Sequence, residues 1–488
     1  MPLAAQHRPA IAIIGAGGFV FPFRLVGDIL SHPALQSSDL RLMDVDAGRL
    51  AGTAGAAREL IAHHGLPATV LETTDRRSAL EGADVVIITF QVGGVEAYRH
   101  DVEIPRRYGV DQTVGDTVGP GGVFRFLRSV PAYDAIAADV LELCPDAQVI
   151  NYANPMAMAT AYLSAKGLRT VGLCHSVQGT TRMLARTLDV PYDEVDYLCA
   201  GINHQAWVLR FRRGHEDLYP RLRAEMTARH VPGRAADQLA GDDGDHSGVA
   251  DAASTYEGGN EQVRTAIMSA FGHFQTESSH HASEYLPYFR KTPDMVESFI
   301  PQRWDYYEVC AAHDVGGELD EQLARLKAEL TPSVEYGASI VNAIVTGVPA
   351  VVYGNVPNRG SLIANLPDDA CVEVPCLVDS GGVQPTAVGA LPPPAGSTQQ
   401  DEHRRAAARR RCCAHRGRRA RPPRGGARPA DGRAVHARPG PRHDGGAAGG
   451  ARRPAAGAAA SPLTRGWCCA VAVRAGGSTP AAPPGGRR

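Results

Sequence analysis

The stretch Ile11-Ala12-Ile13-Ile14-Gly15-Ala16-Gly17-Gly18 sets four apolar residues directly against a glycine turn, and a helix-like run from Phe21 to about Leu30 follows it. A short apolar run closed by glycine reads as a strand buried on both faces. Leu40-Arg41-Leu42-Met43 supplies a second strand that ends on Asp44, which completes a βαβ unit. In such a unit Gly15-x-Gly17, with Gly18 behind it, lets the main chain approach a pyrophosphate whose charge sits at the helix N-terminus. Asp44 stands where a carboxylate accepts the adenosine ribose hydroxyls and repels a 2′-phosphate, which favours NAD over NADP. Val20 replaces the third glycine of the usual fingerprint, so the strand and helix pattern around the turn carries much of the reading.

Further strands are expected at Ala83–Phe90, Val149–Tyr152 and Thr170–Leu173, alternating with helices as in a parallel sheet covered on both faces. The expected fold is therefore α/β, a Rossmann-type doubly wound sheet over residues 9–200. After about Gly201 the helices lengthen and the pattern loosens, with a polar segment at Gly241–Gly248, and a second domain is expected over 201–394.

Composition limits the function classes. The net charge of −2 divides into −18 for residues 1–400 and +16 for residues 401–488, which hold 20 Arg, no Lys and four acids. The acidic body suits a metabolic enzyme and offers no basic face for nucleic acid. No apolar run is long enough to cross a bilayer, and the first apolar run is closed at once by glycine, unlike a secretory leader. A cytoplasmic location follows as the default expectation. Ten cysteines without a compact framework argue against a disulfide-stapled secreted fold.

Residues 395–488 form a third region, rich in Arg, Ala, Gly and Pro. Positions 401–488 contain no Ile, Phe, Tyr, Met, Lys or Asn, so they cannot supply a core. These are the amino acids of all-G/C codons, the product of GC-rich DNA translated out of frame. Ordinary codons for Thr398–Arg405, shifted by one base, spell LNRTNIDV, which is normal protein composition. A frameshift is the expectation here; a disordered basic tail and an arm for nucleic acid or membranes are the alternatives.

The chemistry-bearing residues gather at expected strand ends, where open parallel sheets bind ligands. Cys174 and His175 follow one strand, and Gly201-Ile202-Asn203-His204 adds a second imidazole. A thiolate with imidazoles suits a divalent transition ion with open positions, although a buried small cysteine and a satisfied core histidine are the plainer reading of such a pair. Asn154, before Pro155, is expected at the same edge. The loop from Gly115 to Gly122, which holds Asp116, and the block Thr276-Glu277-Ser278-Ser279 with His281, Ser283, Glu284 and Tyr285 are clustered polar segments that read equally as turns and caps.

IGAGGFVF, GDTVGPGG, NYANPM, GLCHSVQ, GINHQ and the TESS block, in this order over about residues 9–390, resemble glycoside hydrolase family 4, the NAD- and manganese-dependent glycosidases. Members with Cys-His-Ser-Val look like α-galactosidases. Those resembling α-glucosidases tend to carry Glu after Cys-His, and the 6-phospho-sugar enzymes carry Asp or Asn directly after the cysteine. The resemblance implies a Rossmann domain followed by an α+β domain like the C-terminal domain of lactate and malate dehydrogenases, assembled as dimers or tetramers. It implies NAD and Mn2+ as cofactors and an α-glycoside as substrate, with Cys174 and His204 on the metal, Asp44 on the cofactor ribose, and Asn154 and Asp116 toward the sugar. His175 is the candidate proton donor. Tyr285 is the candidate base, with Tyr256 the alternative, and His280 is given no role. The implied reaction oxidises C3, removes the C2 proton, eliminates the glycosidic oxygen, adds water at C1 and returns the hydride, without net redox. An α-glucosidase or α-uronidase of the same family is the near alternative. A 2-hydroxy acid dehydrogenase, which needs a catalytic His with an arginine clamp, is the distant one. Relatives continue past Gln384-Pro385-Thr386 with elements absent from this reading frame.

Overall fold

The computed structural model describes residues 8–18, 21–229, 261–300, 305–313, 317–393 and 396. The opening stretch forms strand β1 (Ala10–Ile14), the glycine turn and helix α1 (Phe21–Ser31), then β2 (Asp39–Met43), α2 (Ala47–His64) and β3 (Thr69–Thr73). The second half of the unit runs α3 (Arg76–Leu80), β4 (Val85–Ile88), α4 (Gly94–Arg106), α5 (Gly119–Leu143), β5 (Gln148–Asn151), α6 (Met156–Ala165), β6 (Arg169–Gly172) and α7 (Ser176–Thr187). The pairs β1–β2, β2–β3, β1–β4, β4–β5 and β5–β6 are all parallel. The resulting order 3-2-1-4-5-6 is that of a dinucleotide-binding sheet, whose direction of winding reverses between β1 and β4.

Strand alternation explains how both faces are covered. Ile11 and Ile13 join a core on one face, and Ala12 and Ile14 join another on the opposite face. On the first face α1 buries Phe23, Leu25, Val26, Ile29 and Leu30, each contributing about 1.5–3 kcal/mol relative to exposure. Asp46 caps α2 by accepting from the main-chain N–H groups of Gly48 and Arg49, and Asp75 caps α3 in the same way.

A small antiparallel sheet follows, made of β7 (Val195–Ala200), β8 (Trp207–Arg213) and β9 (Glu216–Asp217), with β10 (Phe274–Gln275) on the far side of β8; α8 (Tyr219–Arg229) lies between β9 and β10 in sequence. Helix Gln262–Phe271 packs on α8, β10 and helix Ser279–Tyr285, and after helix Pro293–Phe299 the chain returns to the first sheet, where helix Tyr306–His313 packs on α4, Glu318–Ala328 on α2 and Gly337–Thr346 on α1. The last strands depart from a division at residue 200. β11 (Ala350–Pro357), β12 (Cys371–Asp379) and β13 (Gly382–Pro385) continue the first sheet antiparallel beyond β6, giving nine strands in order 13-12-11-6-5-4-1-2-3. An open β6 edge would leave main-chain groups unpaired, and β11 covers it where Asn355 pairs Gly172. The bridge between Gly201 and Glu373 ties the two sheets together. Among the described residues, no helix is long and apolar enough to cross a membrane. The polar segment Gly241–Gly248, Tyr256 and, apart from Gly396, the region from 395 onward lie outside the described residues.

Candidate active site

The groups singled out in the sequence meet at the C-terminal edge of the parallel strands. After β1, Gly15 has φ +97, and a Cβ there would lie 2.7 Å from the main-chain nitrogen of Phe90, which follows β4. A Cβ on Gly17 would lie 2.8 Å from Cγ of Asp44. Only glycine fits this approach of turn, neighbouring strand and carboxylate. Asp44 Oδ2 accepts from Gly17 N at 2.9 Å and Oδ1 from Asp46 N at 3.0 Å. Each carboxylate oxygen keeps a second lone pair for a ribose hydroxyl, and Gly18 N closes the turn onto Gly15 O at 3.3 Å. The cradle and its acidic end fit NAD.

Cys174 lies just past β6, and His204 just past β7 at φ 64, an uncommon conformation for a non-glycine residue. Cys174 Sγ, a ring nitrogen of His204 and a carboxylate oxygen of Glu277 all lie within 4.8 Å of one another. Burial, with Glu277 adding to it, pushes the Cys174 thiol up to about 12, and a cation among these donors would hold it as the thiolate. Thiolate, imidazole and carboxylate form a donor set for a divalent transition ion, so the residues fit the metal as well. Sequence reading found Cys174 and His204 but gave Glu277 no role. Glu277 is itself at φ 72, its main-chain N–H donates to Thr180 Oγ1 at 3.1 Å, and its carbonyl accepts from Arg264 Nη1.

A chain of hydrogen bonds favours one His204 tautomer. Thr117 Oγ1 donates to Asp116 Oδ1 at 2.7 Å and lies 2.7 Å from His204 Nδ1. With its single proton given to the carboxylate, the hydroxyl accepts from His204 Nδ1–H, which leaves Nε2 as the ring nitrogen with a lone pair for a cation. Asp116 Oδ2 accepts from Asn154 Nδ2 at 2.8 Å, and the buried Asn154 Oδ1 has no partner among the described residues. That oxygen can accept from a sugar hydroxyl. Asp116 thus orients its neighbours as well as lining the site.

Helix Ser279–Tyr285 brings in the TESS block. Ser278 caps it by accepting from His281 N, and Ser278 Oγ lies 2.7 Å from His281 Nδ1. His281 Nε2 lies 3.4 Å from Glu277 Oε1, and its ring packs edge-on against His204 with centroids 5.0 Å apart. Burial holds His281 well below its ordinary value, so the ring is neutral and braces Glu277 through Nε2–H. A second grouping, Asp116, His204 and His281, shares the site. Tyr285 Oη is buried beside the Thr117 side chain, and burial, with Asp116 next, holds its phenol well above the ordinary value. Glu284 fixes the loop that carries Asp116: its carboxylate accepts from the main-chain N–H groups of Thr113, Val114 and Gly115 at 2.5, 2.7 and 3.0 Å, and from the side chains of Thr113 and Gln112.

His175 differs from these neighbours in being reachable, since 30% of its side chain is exposed. It occupies the N-cap position of α7 without a side-chain capping bond. Glu335 lies 3.5 Å from its Nδ1. Glu373, wholly buried on β12, accepts from Asn355 Nδ2 at 3.3 Å, and burial lifts its carboxyl to about 7. Neither acid was singled out in the sequence. For Glu373 the signal was a charge inside the apolar run Cys371–Cys376.

Residues 10–190 match the description "Family 4 glycosyl hydrolase", and residues 199–405 match "Family 4 glycosyl hydrolase C-terminal domain". An alpha-galactosidase of Bacillus subtilis (strain 168) is 36% identical over 388 residues, covering 78% of this chain and 84% of that protein. Among solved structures, a putative glucosidase from Bacillus subtilis superposes with a TM-score of 0.70 at 26% identity, over 84% of this chain and 93% of that one. A 6-phospho-alpha-glucosidase from gut microorganisms, solved in complex with NAD and Mn2+, gives 0.63 at 21% identity over 84% and 91%.

Proposed function

The chain belongs to the family 4 glycosyl hydrolases and is a glycoside hydrolase, and from that premise we propose that it cleaves α-galactosides using bound NAD and Mn2+. The observation that carries the reading is the convergence of Cys174, His204 and Glu277 at the strand edge that also holds the glycine turn and Asp44. Most glycosidases work instead with a pair of carboxylates flanking the scissile bond. The galactoside preference is supported by the alpha-galactosidase likeness and by Cys174-His175-Ser176-Val177.

Gly15, Gly17 and Asp44 would hold the dinucleotide, and Cys174, His204 and Glu277 the metal. When bound, these groups supply reversible hydride transfer at C3 of the sugar and a Lewis acid beside it, which together acidify the C2 proton. The remaining steps fall to side chains. Asn154 Oδ1 accepts from a sugar hydroxyl and fixes the ring. Tyr285 Oη, once it has given up its own proton, takes the C2 proton, and the electron pair left behind then forms the C1–C2 double bond and the C1–O bond breaks. His175 gives a proton to the departing oxygen. Water then adds at C1 and gives its surplus proton to His175, while Tyr285 passes a proton, exchanged with solvent, to C2, so that both side chains regain their starting states. Buried free thiols at Cys144, Cys174, Cys199 and Cys376 suit a reducing compartment, and we place the enzyme in the cytoplasm on that ground.

A nitrophenyl-glycoside panel with NAD+, Mn2+ and a thiol reductant tests the proposal. The expected result is turnover of the α-galactoside above the α-glucoside and α-galacturonide, dependent on both additions and without net NADH. Full activity after chelation and dialysis, or NADH accumulating in proportion to a 2-hydroxy acid, would overturn it.

A further inference from the structure

We propose that Glu335 is the positioning residue for His175, fixing the imidazole so that its proton exchange takes place at Nε2. This rests on the reading of His175 as proton donor to the departing oxygen. Glu335 sits in the connection between helix Glu318–Ala328 and helix Gly337–Thr346, and three anchors hold that connection. Ser333 donates through its main-chain N at 2.6 Å and its hydroxyl at 2.7 Å to the carboxylate of Asp28 on α1. Gln178 Nε2 donates to Val334 O at 3.3 Å, and Gly337 N donates to Tyr152 Oη at 3.0 Å. Gln178 lies on α7, the helix whose N-cap is His175. The acid and the imidazole are therefore set in one frame by separate elements.

The Glu335 side chain is 1% exposed, and among the described residues the Tyr152 hydroxyl, which accepts from Gly337 N, is a donor that its carboxyl meets. One hydroxyl satisfies only part of a buried carboxyl, and the rest is costly unless a further donor faces it. His175 Nδ1, at 3.5 Å from Oε1, is placed to be a second donor, on the side toward the site, with a small movement of the ring. Nδ1–H directed at the acid leaves Nε2 as the nitrogen that can meet a substrate oxygen, and it removes the alternative tautomer and the flipped ring.

The test compares an alkyl α-galactoside, whose departing oxygen needs a proton, with a nitrophenyl α-galactoside, whose oxygen leaves as a stabilised anion, on the NAD- and Mn2+-loaded full chain. In Glu335→Gln, kcat is expected to fall about 10- to 100-fold more for the alkyl than for the nitrophenyl substrate, with KM and the affinities for NAD+ and Mn2+ retained. His175→Gln should show the same selective loss, and the double variant should lose little more than either single one. Equal losses on both substrates, lost Mn2+ or NAD+ affinity, or additive effects in the double variant would overturn the positioning role. If His175→Gln itself showed no leaving-group selectivity, the donor reading would fail. A selective His175→Gln beside a silent Glu335→Gln would overturn the positioning role alone. Should Glu335→Gln not fold, Glu335→Asp, which keeps the charge and withdraws it from the ring, must show the same selective loss.

Discussion

At the scale of single residues, two of the three groups proposed for the metal, His204 and Glu277, are held from behind. Asp116 engages Thr117 and Asn154, Thr117 engages His204, and His281 braces Glu277. Replacing Thr117 by Val keeps the shape and removes the acceptor for His204 Nδ1–H. The other tautomer then becomes accessible, and Mn2+ affinity is expected to fall about 10- to 100-fold while NAD+ affinity stays. Metal titration followed by electron paramagnetic resonance of free Mn2+ checks this, and unchanged affinity would contradict the tautomer assignment. Cys174, His175, His204 and Asn154 could be found in the sequence because each stands beside a strand-like run or a strong turn. Glu335 could not, because its partner is 160 positions away and Thr331–Gly337 carries no strand or motif signal. Glu277 and Glu284 sat inside a quoted block, yet a cap and a ligand look alike until the chain is folded.

At the scale of elements, the parallel strands and their order were legible because strands buried on both faces leave near-continuous apolar runs. Helix α1 and strands β1, β2 and β4–β6 lie within a few residues of the expected bounds. The antiparallel strands β11–β13 were not legible as part of the first sheet, since nothing in an apolar run says which edge it covers. Between elements, Asp28 on α1 holds the connection that carries Glu335. Burial lifts its carboxyl from 3.8 to about 6, against the bonds from Ser333. A raised folded-state value favours the protonated form, so its contribution is fully present below about pH 4 and is lost as pH rises through about 6. Asp28→Asn, whose amide still meets both Ser333 groups, is therefore expected to flatten the dependence of Tm on pH between about 4 and 6. An unchanged slope over that interval would contradict the assignment.

At the scale of the whole molecule, two sheets joined at Gly201 and Glu373 bring the products of distant sequence to one edge: a glycine turn at 15–18, a thiol at 174, an imidazole at 204 and the block at 276–285. The change in composition near residue 400 was legible from counts alone; it falls where the second family match ends, at residue 405. We retain the frameshift as our proposal for it. The central claim is that this edge removes the C2 proton of an α-galactoside before C1–O cleavage, and label exchange at C2 tests that most directly. With a substrate deuterated at C2, in ordinary water with NAD+ and Mn2+, galactose is expected to emerge with its C2 deuterium replaced by hydrogen. Galactose that retains all of its C2 deuterium would exclude proton removal there and contradict the account.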